Sequence, residues 1–202
     1  MKTEIYLVRH AQSHPKSGLH HSKWALSGIG EFQASALSRL LLPLGIESVY
    51  SSSFFRCLQT IRPFANRVGL DVAIDEGLRE RLVAETLIED FDDIWQMSWR
   101  DFDYTLPGCE SSNVAQDRFV SAVREIADFN RGRRIVLSTH GNVIGLFLNH
   151  IDKKHGIAEA EGLTNPDVLR VYNTETGFEL DESFVLVGLD RIASEHCDTP
   201  ID

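Results

Sequence analysis

Ile5-Tyr6-Leu7-Val8 runs into Arg9-His10, and Arg134-Ile135-Val136-Leu137 runs into Ser138-Thr139-His140-Gly141. Each is a short apolar, β-prone run that reads as a strand ending in a histidine. Outward from these two, strand and helix signals alternate. Ser27 can cap a helix reaching about Leu42, with Phe32, Ala36 and Leu40 predicted on its buried face, stopped by Pro43 and Gly45. Ile46 to Tyr50 reads as a second strand, Phe54 to Val68 as a helix, and Asp71 to Ile74 as a third strand. A further helix carries Phe119, Val123 and Ile126, and another spans Asn142 to Asn149. Asp167 to Val187 reads as two or three strands turning at Thr176-Gly177. This alternation predicts an α/β fold, a three-layer α/β/α sandwich with a mostly parallel central sheet.

One stretch departs from the alternation. From Val83 through Leu87, Phe91, Ile94, Trp95 and Trp99 to Phe102, apolar residues recur at helical spacing, and Leu106-Pro107-Gly108 closes the segment. With no internal repeat or linker in sight, residues 81–109 are read as a small helical cap inserted in a single domain, 1–202. The polar residues from Ala193 onward are expected to be loose.

Composition narrows the function. A chain of 202 residues buries roughly 70% of its unfolded surface, so it needs no disulfide or metal staple. A net charge of −10 argues against nucleic acid and anionic membrane as partners. Cys57, Cys109 and Cys197 are widely spaced and form no C-x-x-C pair. The start lacks the apolar core of a signal peptide, and no run approaches the ~20 apolar residues of a membrane span. A cytoplasmic protein is expected.

In an open α/β sheet, ligands collect where strands end and helices begin. Three such ends carry related chemistry: Arg9-His10, then Ser51-Ser52 with Arg56 following, then His140-Gly141. Two histidines and two arginines at strand ends of an acidic protein make a focused anion site. Helix N-termini would add N–H donors, and guanidinium forks match phosphate oxygens. Position is what counts, because 15 arginines and 8 histidines in 202 residues give about 0.6 Arg-His pairs by chance.

Together these pieces resemble a family. Arg9-His10-Ala11-Gln12-Ser13 is similar to the Arg-His-Gly/Ala-Glu/Gln-Ser/Thr signature of the histidine phosphatase superfamily, which includes the cofactor-dependent phosphoglycerate mutases. Leu26-Ser27 with Gly30, Gln33 and Ala34 resembles its helix start. Ser51-Ser52, Arg56 and Gln59-Thr60 resemble its second arginine element. Leu78-Arg79-Glu80 resembles the acid site, Gly108-Cys109-Glu110-Ser111 a Gly-Glu-Ser element, and Ser138-Thr139-His140-Gly141 the second histidine block. Ser53-Phe54 replaces the usual Pro-Leu, Cys57 replaces a small Ala, and Lys16 stands where Asn is frequent. The first changes are expected to be packing variants, and Lys16 to contact substrate.

The resemblance implies that His10 attacks phosphorus and becomes a phosphohistidine, clamped by Arg9, Arg56 and His140. Glu80 is implied as the general acid and base, with Glu76 and Glu85 as rivals. Ser13, Lys16 and Gly141 join Arg9, Arg56 and His140 as expected substrate contacts. No metal and no cofactor are required; His14, His20 and His21 are read as loop histidines without a ligand partner. Mutases of the family resemble one another in a long insertion and an Arg-His-Tyr run after the acid-site Glu. Here Arg81-Leu82-Val83 follows, and only about 30 residues separate Glu80 from Glu110. The expected activity is therefore phosphomonoester hydrolysis, on a small molecule or else a phosphoprotein. The alternatives are mutase-type phosphoryl transfer and a non-catalytic phosphate-binding relative. Phe91, Trp95, Trp99, Phe102 and Tyr104 fall within 14 residues, against about 1.3 expected. Trp95 or Trp99 is predicted to line the leaving-group pocket, with the neighbouring aspartates disfavouring polyanions.

Overall fold

The strand that carries Arg9 becomes the fourth of six in one sheet. A computed structural model describes residues 2–84 and 90–194. Along the chain run β1 (Thr3–Arg9), α1 (Gly28–Leu40), β2 (Ser48–Ser51), α2 (Phe55–Val68), β3 (Val72–Ile74), α3 (Phe91–Arg100) and α4 (Ser112–Phe129). Then come β4 (Arg134–Thr139), α5 (Gly141–Ile151), α6 (Ile157–Gly162), β5 (Asp167–Thr174), β6 (Gly177–Leu180) and α7 (Leu189–Ser194). The strand order is β3-β2-β4-β1-β5-β6. The β1–β4, β4–β2 and β2–β3 pairs are parallel, while β5 runs antiparallel to both β1 and β6. The sheet is mostly parallel, as expected.

Side-chain alternation along β1 builds the three layers. Ile5 and Leu7 point into a core shared with α4 and α5, where Phe119, Val123 and Phe147 are fully buried. Tyr6 and Val8 point the other way, toward Leu37, Ile61 and Phe64 of α1 and α2. Strands buried on both faces explain why β1 and β4 read as continuous apolar runs rather than alternating ones.

Some expectations shift. Phe32 is half exposed; α1 buries Gln33, Ala34 and Leu37 instead. The reason is polar: Gln33 Oε1 accepts from Gln12 N–H at 2.9 Å, and its Nε2 donates to Ile192 O at 2.9 Å, which ties the β1 loop and α7 to the helix. The two or three strands after Asp167 are two, and the short α6 was not anticipated. In the cap, helix α3 forms as far as Arg100, while Leu87 and Glu85 lie outside the described residues, as do Cys197 and the tail from 195. No helix among the described residues is long and apolar enough to cross a membrane.

The base of the cap is held by charge. Glu110 accepts from Arg79 at 2.7 Å on both oxygens and from Arg118 at 3.0 Å on both. Burial alone would raise the Glu110 carboxyl, but hydrogen bonds from Arg79 and Arg118 outweigh it and bring it down to about 2. Arg81, 4% exposed, donates to Glu110 O, Ser112 Oγ and Tyr104 O.

Candidate active site

Register alone brings the two histidines together. Arg9 pairs with Thr139 across β1 and β4, so the next residues, His10 and His140, leave the sheet side by side, with ring centroids 5.3 Å apart. On the other flank of β4, Ser51 pairs with Ser138, and the following turn opens α2 and brings up Arg56. Three strand ends, distant in sequence, thereby meet at one rim of the sheet, as strand-end ligand sites require.

The imidazole of His10 is held in one tautomer. Its Nδ1 lies 2.8 Å from Ala11 O, and a carbonyl can only accept, so Nδ1 carries the proton. Its Nε2 accepts from Arg56 Nε at 3.0 Å and thus presents a lone pair. Burial, then the neighbouring guanidinium of Arg56, hold the ring's pKa well below 6.5, so it stays neutral near pH 7. His140 has the opposite tautomer: Nδ1 accepts from Arg56 at 3.1 Å, leaving Nε2–H to donate to Ser52 Oγ at 2.9 Å. It too is held neutral, by burial first and by Arg56 next.

Arg56 is the hub. Besides both histidines, it donates to His21 O at 2.7 Å, and the rings of Phe54 and Trp24 lie 5.0 and 5.9 Å from its Cζ. Arg9 donates to Leu163 O, and its Nε is buried without a hydrogen-bond partner. Burial lowers the pKa of both guanidiniums, and among the described residues neither forms an ion pair. A buried cation without a counter-ion costs several kcal/mol of desolvation. An anion entering here would restore that loss.

The acid-site residue sits at the start of α5. Glu80 Oε1 accepts from Arg81 N at 2.9 Å and Val143 N at 3.1 Å, and Oε2 from Asn142 N at 3.2 Å. The helix N-terminus expected to receive phosphate thus gives these N–H groups to the carboxylate, a favourable placement beside the positive end of the helix dipole. Glu76 bonds Ser53 Oγ, away from this cluster.

A cavity of about 890 Å³ opens beside these groups; both guanidiniums and Glu80 line it, while His10 and His140 lie behind that lining. Arg9, Arg56, Glu80 and Gly141 line it on the body side, Lys16 and His21 from the loop after β1, and Phe91 and Trp95 from the cap. Gly141 is needed for space, because a Cβ there would come within 2.8 Å of Arg9 Nε. Gly30 serves the loop in the same way, since a Cβ would meet Gln12 O at 1.9 Å.

Ser13 and His140, expected to contact substrate, are not among the residues lining the cavity, and of Trp95 and Trp99 only the first is. Ser13 forms a two-residue bridge with Leu26 that fixes the loop. Trp99 packs the cap onto the body, at the spot where Gly145 leaves room and against the Phe102 ring, while Trp95 one turn earlier faces the cavity. The family departures are also more than packing. Phe54 sets its ring 4.9 Å from that of His140, and Cys57 Sγ lies 3.4 Å from His140 Nε2, its thiol pushed up to about 12 by burial. Sequence reasoning missed His21, Trp24, Asn142 and Glu161. Asn142 follows the histidine block and could have been found there; a lone Glu161 carries no signal. Among the described residues no three potential metal ligands cluster.

Comparison with known proteins agrees with this geometry. The chain matches the histidine phosphatase superfamily (branch 1) over residues 5–182. It is 32% identical over 155 residues to phosphoglycerate mutase-like protein 4 of Arabidopsis thaliana, covering 70% of this chain and 67% of that protein. Its fold is similar to a mycobacterial glucosyl-3-phosphoglycerate phosphatase, with TM-score 0.72 and 22% identity over 90% of this chain and 98% of that one. It is also similar to a phosphoserine phosphatase from Entamoeba histolytica, with TM-score 0.73 and 18% identity over 89% and 95%. With its sheet order, paired histidines and family match in agreement, the chain belongs to the histidine phosphatase superfamily, a family with both phosphatase and mutase members.

Proposed function

We propose that the protein hydrolyses small phosphate monoesters through a phosphohistidine on His10. The observation that carries this reading is the lone pair of His10 Nε2, held beside the guanidinium of Arg56, which with that of Arg9 forms no ion pair among the described residues. Phosphoryl transfer asks for positioning and charge neutralisation more than covalent help from the protein. Phosphate oxygens take the N–H groups of Arg9 and Arg56, which frees His10 Nε2 from Arg56. Nε2 then attacks phosphorus in line, the P–O ester bond breaks, and Glu80 gives its proton to the leaving alkoxide. Its Oε2 accepts only one backbone N–H and so has a lone pair left for that proton. In the second half, Glu80 takes a proton from water, hydroxide attacks phosphorus, the P–N bond breaks, and phosphate leaves. His140, neutral and hydrogen-bonded to Arg56 and Ser52, keeps the clamp in place.

Hydrolysis is favoured over mutase chemistry by the short cap after Glu80, only about 30 residues long as far as Glu110. The Arg81 guanidinium is consumed by three cap-base acceptors, which leaves Lys16 as the cation of the loop side for any further substrate charge. The phosphatase and phosphoserine neighbours act on small esters, by their names, and a cavity of about 890 Å³ suits the same class. The test is turnover of a panel of phosphomonoesters beside 3-phosphoglycerate, with and without 2,3-bisphosphoglycerate. Release of inorganic phosphate should exceed phosphoglycerate isomerisation on every condition; the reverse order would reassign the protein as a mutase.

A further inference from the structure

Besides Glu80, the cavity has two further carboxylates, and they come from other elements than its cations. Cations reach it from β1, the loop after it and α2, whereas α3 and α6 contribute Asp92 and Glu161. Among the described residues neither carboxylate forms an ion pair. Asp92 has a local reason to be acidic, being in the first turn of α3. Glu161 has none, because it lies next to the C-terminal end of α6, where a negative charge opposes the helix dipole. It is nevertheless held in place: Oε1 accepts from Trp95 Nε1 at 3.0 Å and from Gln96 Nε2 at 3.4 Å. Both donors are neutral, so the carboxylate is oriented without being neutralised, and Oε2 accepts from no group among the described residues.

A second observation marks the same cavity as a ligand site. Asn142 is 6% exposed and lines the cavity, yet neither its side-chain oxygen nor its side-chain nitrogen has a hydrogen-bond partner. Buried amides without partners are rare and costly, at about 1–3 kcal/mol per group. The same cavity has an aromatic wall from the cap, with Phe91 and Trp95 stacked at 6.3 Å and 17°. Aromatic faces attract cations and add to a nearby carboxylate.

Resting on the phosphatase reading, we infer that the alcohol half of the substrate is an amine-bearing group with a flat or bulky apolar body. Its ammonium meets Glu161 and Asp92 while its body lies against Trp95 and Phe91. Anionic alcohols are turned away by the same carboxylates, which is specificity through an unfavourable contact.

Three aryl phosphates of similar leaving-group acidity test this: tyramine O-phosphate, p-ethylphenyl phosphate and phloretic acid O-phosphate, bearing an ammonium, no charge and a carboxylate. The kcat/KM values should fall in that order, with about a fivefold step between neighbours, as for a partly exposed charge pair. In Glu161→Gln, whose amide oxygen can still accept from Trp95, the ammonium-to-neutral ratio should fall toward one. Equal rates on the first two esters, or a preference that survives both Glu161→Gln and Asp92→Asn, would overturn the inference while leaving the phosphatase standing. If none of the three is hydrolysed while another phosphomonoester is, this inference fails and the phosphatase reading stands; if no phosphomonoester is hydrolysed, both fail.

Discussion

Replacing Arg56 with Met should separate activity from stability. Arg56 is 5% exposed and donates three hydrogen bonds, at 3.0 Å to His10, 3.1 Å to His140 and 2.7 Å to His21 O. Losing them costs about 1 kcal/mol each, roughly 3 in all. Removing a buried cation that forms no ion pair returns several kcal/mol of desolvation, offset in part by the lost attraction to Glu80, and Met fills much of the same volume. The two nearly cancel, so the unliganded variant should melt within about 3 °C of the parent, a shift worth roughly 1 kcal/mol at this chain length. Catalysis has no such compensation: one lost donor to the phosphoryl group costs about 10²–10³ in kcat/KM. Phosphate sharpens the contrast. At a hundred times its Kd it should stabilise the parent by about 2.7 kcal/mol, or 5–10 °C, and the variant far less. The assay pairs thermal melts, with and without phosphate, with p-nitrophenyl phosphate turnover. A variant that keeps the phosphate-induced shift, or stays within tenfold in rate, would refute the reasoning.

Two further outcomes follow from the same geometry. Glu80→Gln can still accept the backbone N–H groups of Arg81 and Val143 and loses only the longer bond from Asn142 N–H, so it should fold with a small loss of stability. It should lose about 10²–10⁴ in rate on alkyl phosphates and much less on p-nitrophenyl phosphate, whose leaving group needs no proton; equal losses on both would remove Glu80 from the acid role. Gly141→Ala places a methyl 2.8 Å from Arg9 Nε in the first turn of α5, where Ala is otherwise a better helix former by ~1 kcal/mol. Activity should drop at least tenfold with little change in melting temperature, and full activity would show that Arg9 can move aside.

The layers and strand ends were legible because they rest on local chemistry. β1 and β4 are apolar runs buried on both faces, and a run of that kind can be read without knowing its neighbours. The meeting of His10, Arg56 and His140 was legible through strand-end logic and the family likeness together. Phe32 was misread because a helix face is set by what packs on it: Gln33 turns inward to bond Gln12 and Ile192, contacts 21 and 159 residues away in sequence. Trp95 and Trp99 differ by one turn, and only the packing of Gly145 and Ala160 beneath Trp99 decides which faces the cavity. Glu161 was invisible for a plainer reason. Its neighbour Trp95 is 66 residues away, and no motif links the two.

The central claim is that His10 Nε2, and no other nucleophile, takes the phosphoryl group. Rapid quenching of steady-state turnover into alkali, where phosphohistidine survives, followed by peptide mapping, tests it directly. One phosphoryl group on the peptide containing His10, absent in His10→Ala, is the predicted result. Turnover with the group on His140 or another side chain, or with no phosphoenzyme at all, would contradict the account.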